Sequence, residues 1–271
     1  MAWTSNPLRG FSAAAGCVIF QGGLVKHLVL VLVFSFLVVG CTSLKDVSES
    51  SHNSESFVGI EDGNLIYQGE ITEASNDVIF SSYRAAEFKP NRLLISSQGG
   101  EIGAGMNLGQ WVRDNNLDVE VIRVCASSCA NYVLPAANTK YLRKDSILIW
   151  HGSAWQSNWH VDHEHRETFN THITLMRQKE TDFYADIAVD NLLTTYGQSK
   201  FNFLDFTLGL FGKGAVGYDY SKADMEKFGL VNIVLLDGEW DWRKYRPDRA
   251  SLVKRIKVDD DFEFELRRFE I

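Results

Sequence analysis

Residues 93–151 hold the pattern that most constrains the fold of this chain. The apolar run LLISS leads into a glycine pair, Gly99-Gly100, and a stretch with helical spacing follows it. A second apolar run, VEVIRV, leads into the segment CASSCA, and a third, ILIW, ends at His151. Short buried-type strands that alternate with helices predict an α/β domain with a mostly parallel sheet.

Hydrophobic periodicity extends this alternation along the rest of the chain. The strands are predicted over 64–71, 92–96, 119–124, 146–150 and 230–236. The helices are predicted over 76–87, 101–115 and 221–228, with a helix entry at Ser128 and a long, largely helical region over 160–191. Alternation over 253–268 predicts a hairpin.

Three groups of chemically useful residues follow directly after predicted strands. They are Gly99-Gly100, Ser128 and His151. Ligand sites in parallel sheets lie at the carboxyl ends of the strands. A hydroxyl nucleophile, a histidine base and a glycine pair with accessible backbone N–H groups are the parts that an acyl-transfer site needs.

Each of these residues also has a purely structural interpretation. Ser128 and Ser127 both stand where a helix N-cap accepts a backbone hydrogen bond. A glycine pair marks many tight turns, and a histidine that closes a strand can be a hydrogen-bonded core residue. The order of glycines, serine and histidine favours the catalytic interpretation, with Ser128 as the nucleophile and Ser127 as the alternative.

The N-terminal segment resembles an export signal. Lys26-His27 precede an apolar run over 28–39, which is followed by Gly40-Cys41. A positive flank, a short apolar region and a small residue are the parts of a secretory signal, and the run is short for a membrane-spanning helix. The end of the segment resembles a bacterial lipobox, which implies cleavage before Cys41 and a lipid on its sulfur. Thr42 in place of Asp favours the outer membrane over the inner one, and an uncleaved N-terminal anchor is the alternative.

The chain therefore divides into a lipoprotein signal peptide over 1–41, a flexible polar tether over 42–56, a domain over 57–236, and a charged, aromatic C-terminal extension over 237–271. Serine and glutamate dominate the tether, which is typical of a solvated linker. The net charge of −8 argues against a nucleic-acid partner, because such proteins usually present a basic face.

Two side-chain groups leave alternatives open. Cys125 and Cys129 either form a disulfide, which an exported protein permits, or remain buried thiols that pack as small hydrophobic groups. The histidine cluster at 160, 163 and 165 has the residue types of a metal site. Its spacing matches no known metal motif, and we expect a solvated helix entry and no metal.

Residues 64–234 resemble the proteolytic subunit of the Clp protease, within the Clp/crotonase superfamily. The segment SSQGGEIGAGM is similar to that family's strand, glycine turn and helix, and ASSCA stands in the place of its AASMG elbow. IWHG occupies the place of the histidine segment, and FGLV is similar to the end of the family's terminal helix and strand. Gln98 and Ala130 depart from the family pattern, where proline and glycine are expected.

The resemblance implies a fold and a set of roles. The fold is a Clp/crotonase-type spiral of repeated ββα-like units with a mostly parallel sheet. Ser128 and His151 correspond to nucleophile and base. The third triad position aligns near Gly217, and Asp219 is its nearest carboxylate. The oxyanion donors implied are Gly99, Gly100 and Cys129.

These expectations lead to a cell-envelope serine hydrolase, anchored by lipid on Cys41, that cleaves peptide or protein substrates. The resemblance implies a homo-oligomer and no cofactor or metal. The main alternative is a catalytically inactive Clp-like envelope lipoprotein that acts as a binding or assembly scaffold, its elbow braced by a Cys125–Cys129 disulfide. An acyl-CoA enzyme of the crotonase branch is disfavoured, because CoA is not expected outside the cytoplasm.

Overall fold

The structure, a computed structural model, describes residues 56–157, 159–202, 205 and 214–269. The predicted signal peptide with Cys41, and the tether up to residue 55, lie outside the described residues. Within the described part of the chain, no helix combines the length and the apolar character that crossing a bilayer requires.

The strands form a large sheet and a small one. They are β1 (Phe57–Glu61), β2 (Asn64–Gln68), β3 (Arg92–Ser97), β4 (Asp118–Ala126), β5 (Lys140–Leu142), β6 (Ile147–Ile149), β7 (Gly217–Tyr220), β8 (Ile233–Leu235) and β9 (Val253–Ile256). The sequence-predicted strands correspond to β2, β3, β4, β6 and β8, so these predictions are confirmed.

Helices of very different length connect the strands. They are α1 (Glu73–Ala85), α2 (Ile102–Asp114), α3 (Leu134–Ala136), α4 (Arg166–Asp186), α5 (Lys222–Lys227) and α6 (Trp242–Tyr245). A π-helical turn, Cys129–Val133, leads directly into α3. The long helical region predicted over 160–191 is shorter in the structure, with α4 as its main element and short 3-10 turns around it.

The large sheet has seven strands in the order β1-β2-β3-β4-β5-β8, and β6 also pairs with β4. Only the β1–β2 pairing is antiparallel; the others are parallel. The predicted α/β class and mostly parallel sheet are therefore confirmed. The single antiparallel bridge Trp150↔Tyr218 links the end of β6 to β7, which pairs with β9 in the small sheet.

Strand β4 is the strand at which the sheet divides. Its first half, around Val121, pairs with β5, and its last three residues pair with β6, where Ala126 lies opposite Ile149. Val121, Ala126 and Ile149 are all buried. The strand is long enough to serve two partners in succession, and this places the ends of β4 and β6 side by side.

Local sequence explains where the first helix begins. The hydroxyl of Thr72 accepts a hydrogen bond from the backbone N–H of Ser75 at 3.1 Å and so caps α1. Glu73 lies in the first turn, where a negative charge complements the helix dipole. Asn76, fully buried on α1, donates to the carbonyl oxygen of Ala104 in α2 at 2.8 Å, and so ties the two helices together.

The C-terminal segment packs back on the body, and the predicted hairpin over 253–268 is wrong. Only β9 is a strand there, and it pairs in parallel with the distant strand β7 and not with a neighbouring hairpin strand. Further on, the Phe269 ring stacks on Trp155 with centroids 5.0 Å apart, and its carbonyl oxygen accepts from the Thr181 hydroxyl on α4.

Candidate active site

The glycine turn, the serine elbow and His151 meet at one edge of the large sheet. Each follows the carboxyl end of a strand: β3, β4 and β6 respectively. These strands are neighbours, since β4 pairs with both β3 and β6. Parallel strands deliver the residues after their last pairs to a common edge. The structure therefore brings together three of the groups expected from the sequence.

The turn between β4 and the π-helical turn is sharp, and Ser127 forms its corner. Ser127 has a φ of +53°, a left-handed conformation that costs a residue with a side chain roughly 1–2 kcal/mol. Its backbone N–H donates to the carbonyl oxygen of Ile149 at 2.9 Å, and its own carbonyl accepts from Asn131 at 2.8 Å. Ser127 is half-buried, so it is the more accessible of the two serines.

A disulfide between Cys125 and Cys129 closes the corner. The two Cα atoms lie 5.2 Å apart, within the range that a bridge requires. Both cysteines are fully buried. The bridge joins the penultimate residue of β4 to the first residue of the π-helical turn, and the two serines lie between the bridged cysteines.

Ser128 points into the protein. It is only 2% exposed, and its hydroxyl donates to the carbonyl oxygen of Gly100 at 2.7 Å. Its side chain makes no capping hydrogen bond to the turn that it precedes. The hydroxyl therefore ties the elbow to the glycine turn and does not act as an N-cap.

The glycine turn lies directly against the elbow. Gly99 has a φ of +97°, and a Cβ atom there would lie 2.6 Å from the Cβ of Ser127. The N–H of Gly99 donates to the hydroxyl oxygen of Ser97 at 3.0 Å. The Gly100 carbonyl, which accepts from Ser128, also faces the elbow. The close approach requires glycine at position 99, and the N–H of that residue is already engaged.

His151 follows the bridge residue Trp150 and is half-buried. Its Nε2 atom is buried and has no hydrogen-bond partner among the described residues. Burial lowers the pKa of His151 from its ordinary 6.5, so the imidazole is neutral at neutral pH. Its backbone carbonyl accepts from the Gln198 amide at 2.9 Å, which fixes the chain at this point. A neutral imidazole with an unpartnered nitrogen has the state of a general base.

Asp219 does not orient His151, and that expectation is corrected. Its carboxylate is fully buried and accepts from the Trp242 indole at 2.8 Å and from the guanidinium groups of Arg243 and Arg255. The aligned position, Gly217, has no room for a side chain, since a Cβ there would lie 2.5 Å from the carbonyl oxygen of Trp150. Within the described residues, the candidate site therefore combines serine side chains with His151, and no carboxylate is hydrogen-bonded to His151.

Sequence reasoning missed a second buried carboxylate, Glu180, beneath the site. Its Oε2 atom accepts from the hydroxyl of Tyr132 at 2.8 Å and from the N–H of Ala154 at 3.0 Å. The signal is present in the sequence, because Glu180 falls on the apolar stripe of α4 between Met176 and Phe183. A glutamate at such a position must be buried with hydrogen-bond partners or change its protonation state.

The described residues contain no group of three or more histidine, cysteine or acidic side chains placed to hold a metal ion. In the histidine cluster, His163–His165 form an exposed 3-10 turn before α4. Nε2 of His165 lies 3.3 Å from Oε1 of its neighbour Glu164.

No protein-family model and no curated protein matches this chain. Among solved structures, it is similar to a mutant form of ClpP1 from Listeria monocytogenes, with a TM-score of 0.42 and 18% sequence identity. The similarity covers 65% of this chain and 93% of that one. A similarity of this size carries no information about activity.

Proposed function

We propose that this protein is a serine hydrolase in which Ser127 is the nucleophile and His151 the general base. One observation carries the proposal: a serine held at a left-handed φ in a strand-to-helix corner lies at the same sheet edge as a neutral histidine with an unpartnered Nε2. A sharp, strained corner after a strand is how hydrolases expose a nucleophilic serine. Ser127 replaces the aligned Ser128, because the Ser128 hydroxyl is buried on the Gly100 carbonyl.

The catalytic groups of the proposed reaction all come from this chain, and water is the second reactant. Ser127 Oγ attacks a substrate carbonyl carbon while its proton passes to Nε2 of His151, and the imidazolium then protonates the leaving group, which departs as the acyl-enzyme forms. A water molecule that gives a proton to His151 then attacks the ester carbonyl, and His151 returns that proton to Ser127 Oγ as the carboxylic acid leaves. The N–H groups of Gly100 and Cys129 are the proposed donors to the oxyanion. Gly99 is set aside as a donor because its N–H is engaged by Ser97. No cofactor or metal is required.

The proposed setting is the bacterial cell envelope. The Cys125–Cys129 bridge supports it, because disulfides persist in oxidising compartments. A lipid on Cys41 anchors the chain to the membrane, with the outer membrane favoured and the folded part facing the periplasm. The proposed substrates are peptides or proteins, and the proposed assembly is a homo-oligomer.

Active-site labelling tests the catalytic proposal. The purified full-length chain is treated with a fluorophosphonate, beside Ser127→Ala, Ser128→Ala and His151→Ala. We expect no labelling in Ser127→Ala, a loss on the order of 10²–10⁴-fold in His151→Ala, and retained labelling in Ser128→Ala. Labelling that disappears only in Ser128→Ala would move the nucleophile to that residue.

One observation favours the scaffold alternative. The Gly100 carbonyl, and not an N–H group, faces the elbow hydroxyl of Ser128, whereas an oxyanion hole needs donors aimed at the reacting oxygen. A folded protein that takes no label at all would support a catalytically inactive Clp-like envelope lipoprotein acting as a binding or assembly scaffold.

A further inference from the structure

Two hydrogen-bond paths, each of which includes a residue of α4, connect the elbow (Ser127 and Ser128) to the histidine loop (residues 151–156). The first runs through Glu180, fully buried on α4, whose single atom Oε2 accepts from the Tyr132 hydroxyl and the Ala154 N–H. Tyr132 belongs to the π-helical turn after the elbow, and Ala154 follows His151 by three residues. One carboxyl oxygen therefore accepts hydrogen bonds from the segment that follows Ser127 and from the segment that follows His151.

The second path runs through Asn131. Its side-chain amide donates to the carbonyl oxygen of Gly152 at 2.8 Å, directly after His151. Its backbone carbonyl accepts from the Tyr184 hydroxyl on α4, and its backbone N–H donates to the carbonyl oxygen of Ser127. This path also joins the elbow, the histidine loop and α4.

Helix α4 holds the histidine loop through one more contact. Nε of Arg177 donates to the carbonyl oxygen of Ala154 at 3.0 Å. Arg177 and Glu180 lie about one turn apart on the same face of α4. Together they bind both backbone polar groups of Ala154: Glu180 accepts from its N–H, and Arg177 donates to its carbonyl oxygen. Tyr132 and Tyr184 are fully or almost fully buried; the hydroxyl of Tyr132 donates to Glu180, and the hydroxyl of Tyr184 donates to the carbonyl oxygen of Asn131.

We infer that Glu180 is a positioning residue, which sets the separation of the Ser127 elbow and the His151 loop through its bonds to Tyr132 and Ala154. The inference rests on the proposed function. Glu180 touches neither proposed catalytic side chain and acts through the two segments that carry them. Misplacement of reacting groups by about 1 Å costs roughly a hundredfold in rate, so a small shift of either segment is enough to slow the reaction.

The test compares fluorophosphonate labelling rates of the full-length chain and its variants. Glu180→Ala removes both hydrogen bonds, and we expect labelling to fall roughly a hundredfold. Glu180→Gln keeps an amide oxygen that can accept from both donors, and we expect it to recover most of the rate. Asp182→Asn is the matched control, because it removes an exposed carboxylate from the same helix.

A second variant covers the case in which Glu180→Ala does not fold. Tyr132→Phe removes only the hydroxyl that donates to Glu180, and we expect an intermediate loss of labelling. Labelling of folded Glu180→Ala or Tyr132→Phe at the unaltered rate, with Ser127→Ala inactive, would overturn the positioning role and leave the proposed function standing.

Hydrogen exchange keeps the two proposals separable. In Glu180→Ala we expect faster amide exchange in residues 128–133 and 151–156 together, with unchanged exchange in β1 and β2. Asp182→Asn should change neither segment. If the unaltered protein takes no label, the proposed function fails, and joint loosening of the two segments still supports the structural tie. Unchanged exchange in residues 128–133 and 151–156 of Glu180→Ala would overturn the proposed tie between these two segments.

Discussion

Two fully buried carboxylates, Asp219 on β7 and Glu180 on α4, differ in how their charge is compensated. Asp219 accepts from two arginines and an indole, and both of its oxygens are engaged. Glu180 accepts from a phenol and a backbone N–H through one oxygen, and its Oε1 atom has no partner among the described residues.

The comparison separates a structural region from a functional one. Asp219, on β7, is joined to the C-terminal segment by ion pairs with Arg243 and Arg255, and each of its two oxygens accepts hydrogen bonds from both arginines. Around Glu180 several buried polar atoms lack partners in the described residues, including Asn131 Oδ1 and His151 Nε2. Native proteins break the rule of satisfied buried groups chiefly at functional sites, so the Glu180 side is where we place the chemistry.

The largest expected effect lies on the structural side. Asp219→Ala leaves Arg243 and Arg255 without their shared carboxylate, and removing one partner of a buried ion pair costs about 3–5 kcal/mol. Urea denaturation measures this loss of unfolding free energy. A loss under about 1 kcal/mol would show that this region is not the structural tie that the comparison requires.

The pH dependence of stability should come from Glu180. Burial raises the pKa of Glu180 to about 7 from its ordinary 4.5, so the native state binds this proton more tightly than the unfolded state. The contribution of Glu180 to the free energy of unfolding is therefore fully present below pH 4.5. This contribution, roughly 3 kcal/mol, is lost as the pH rises through 7. Burial raises the pKa of both neighbouring phenols, Tyr132 and Tyr184, so these two groups keep their protons across this range.

Denaturation between pH 5 and 8 checks this expectation against Glu180→Gln, which should be much less sensitive over the same interval. His151 works in the opposite sense, since its lowered pKa costs stability only as the pH falls below 6.5. It is present in both proteins and cancels in the comparison. Equal slopes for the two proteins would remove Glu180 as the cause.

Gly99→Ala sharpens the comparison on the functional side. The added Cβ would meet the carbonyl oxygen of Ala126 at 2.7 Å and the nitrogen of Ser128 at 2.8 Å, so the elbow must move. We expect fluorophosphonate labelling to fall on the order of a hundredfold. Gly63→Ala is the control, because Gly63 also has a positive φ but open space around it. Equal labelling of the two variants would contradict the role of the glycine turn.

The smallest effect is expected for Ser128→Ala. It removes the hydrogen bond to the Gly100 carbonyl and should cost about 1 kcal/mol of unfolding free energy. Because Ser127 keeps its position, the labelling rate should change by less than about threefold, the ordinary scatter of a single local contact. Thermal denaturation and labelling of the same preparation give both values.

Sequence patterns predicted those parts of the fold that depend on neighbouring residues. β3, α2, β4 and β6 follow from apolar runs and from the glycine pair, and their bounds agree with the structure to within about two residues. The pairing of β9 with β7 was not predictable in this way, because the hairpin pattern over 253–268 contains no information about a partner more than thirty residues earlier.

The same limit applies to the site. The glycines, the elbow and His151 were located because each follows a strand. Asp219 was misassigned because its partners Arg243 and Arg255 come from the C-terminal segment, which no local pattern connects to it. Glu180 was overlooked although its place on an apolar helical stripe was visible.

The most direct test is to locate the fluorophosphonate adduct. Trypsin cleaves after Arg123 and Lys140, so both elbow serines and both cysteines fall in one peptide over 124–140. After reduction, fragmentation between Ser127 and Ser128 distinguishes the two by mass. We predict the adduct on Ser127, with its formation slowed on the order of 10²–10⁴-fold in His151→Ala. An adduct on Ser128, or a folded protein with no adduct on this peptide, would contradict the proposed catalytic elbow.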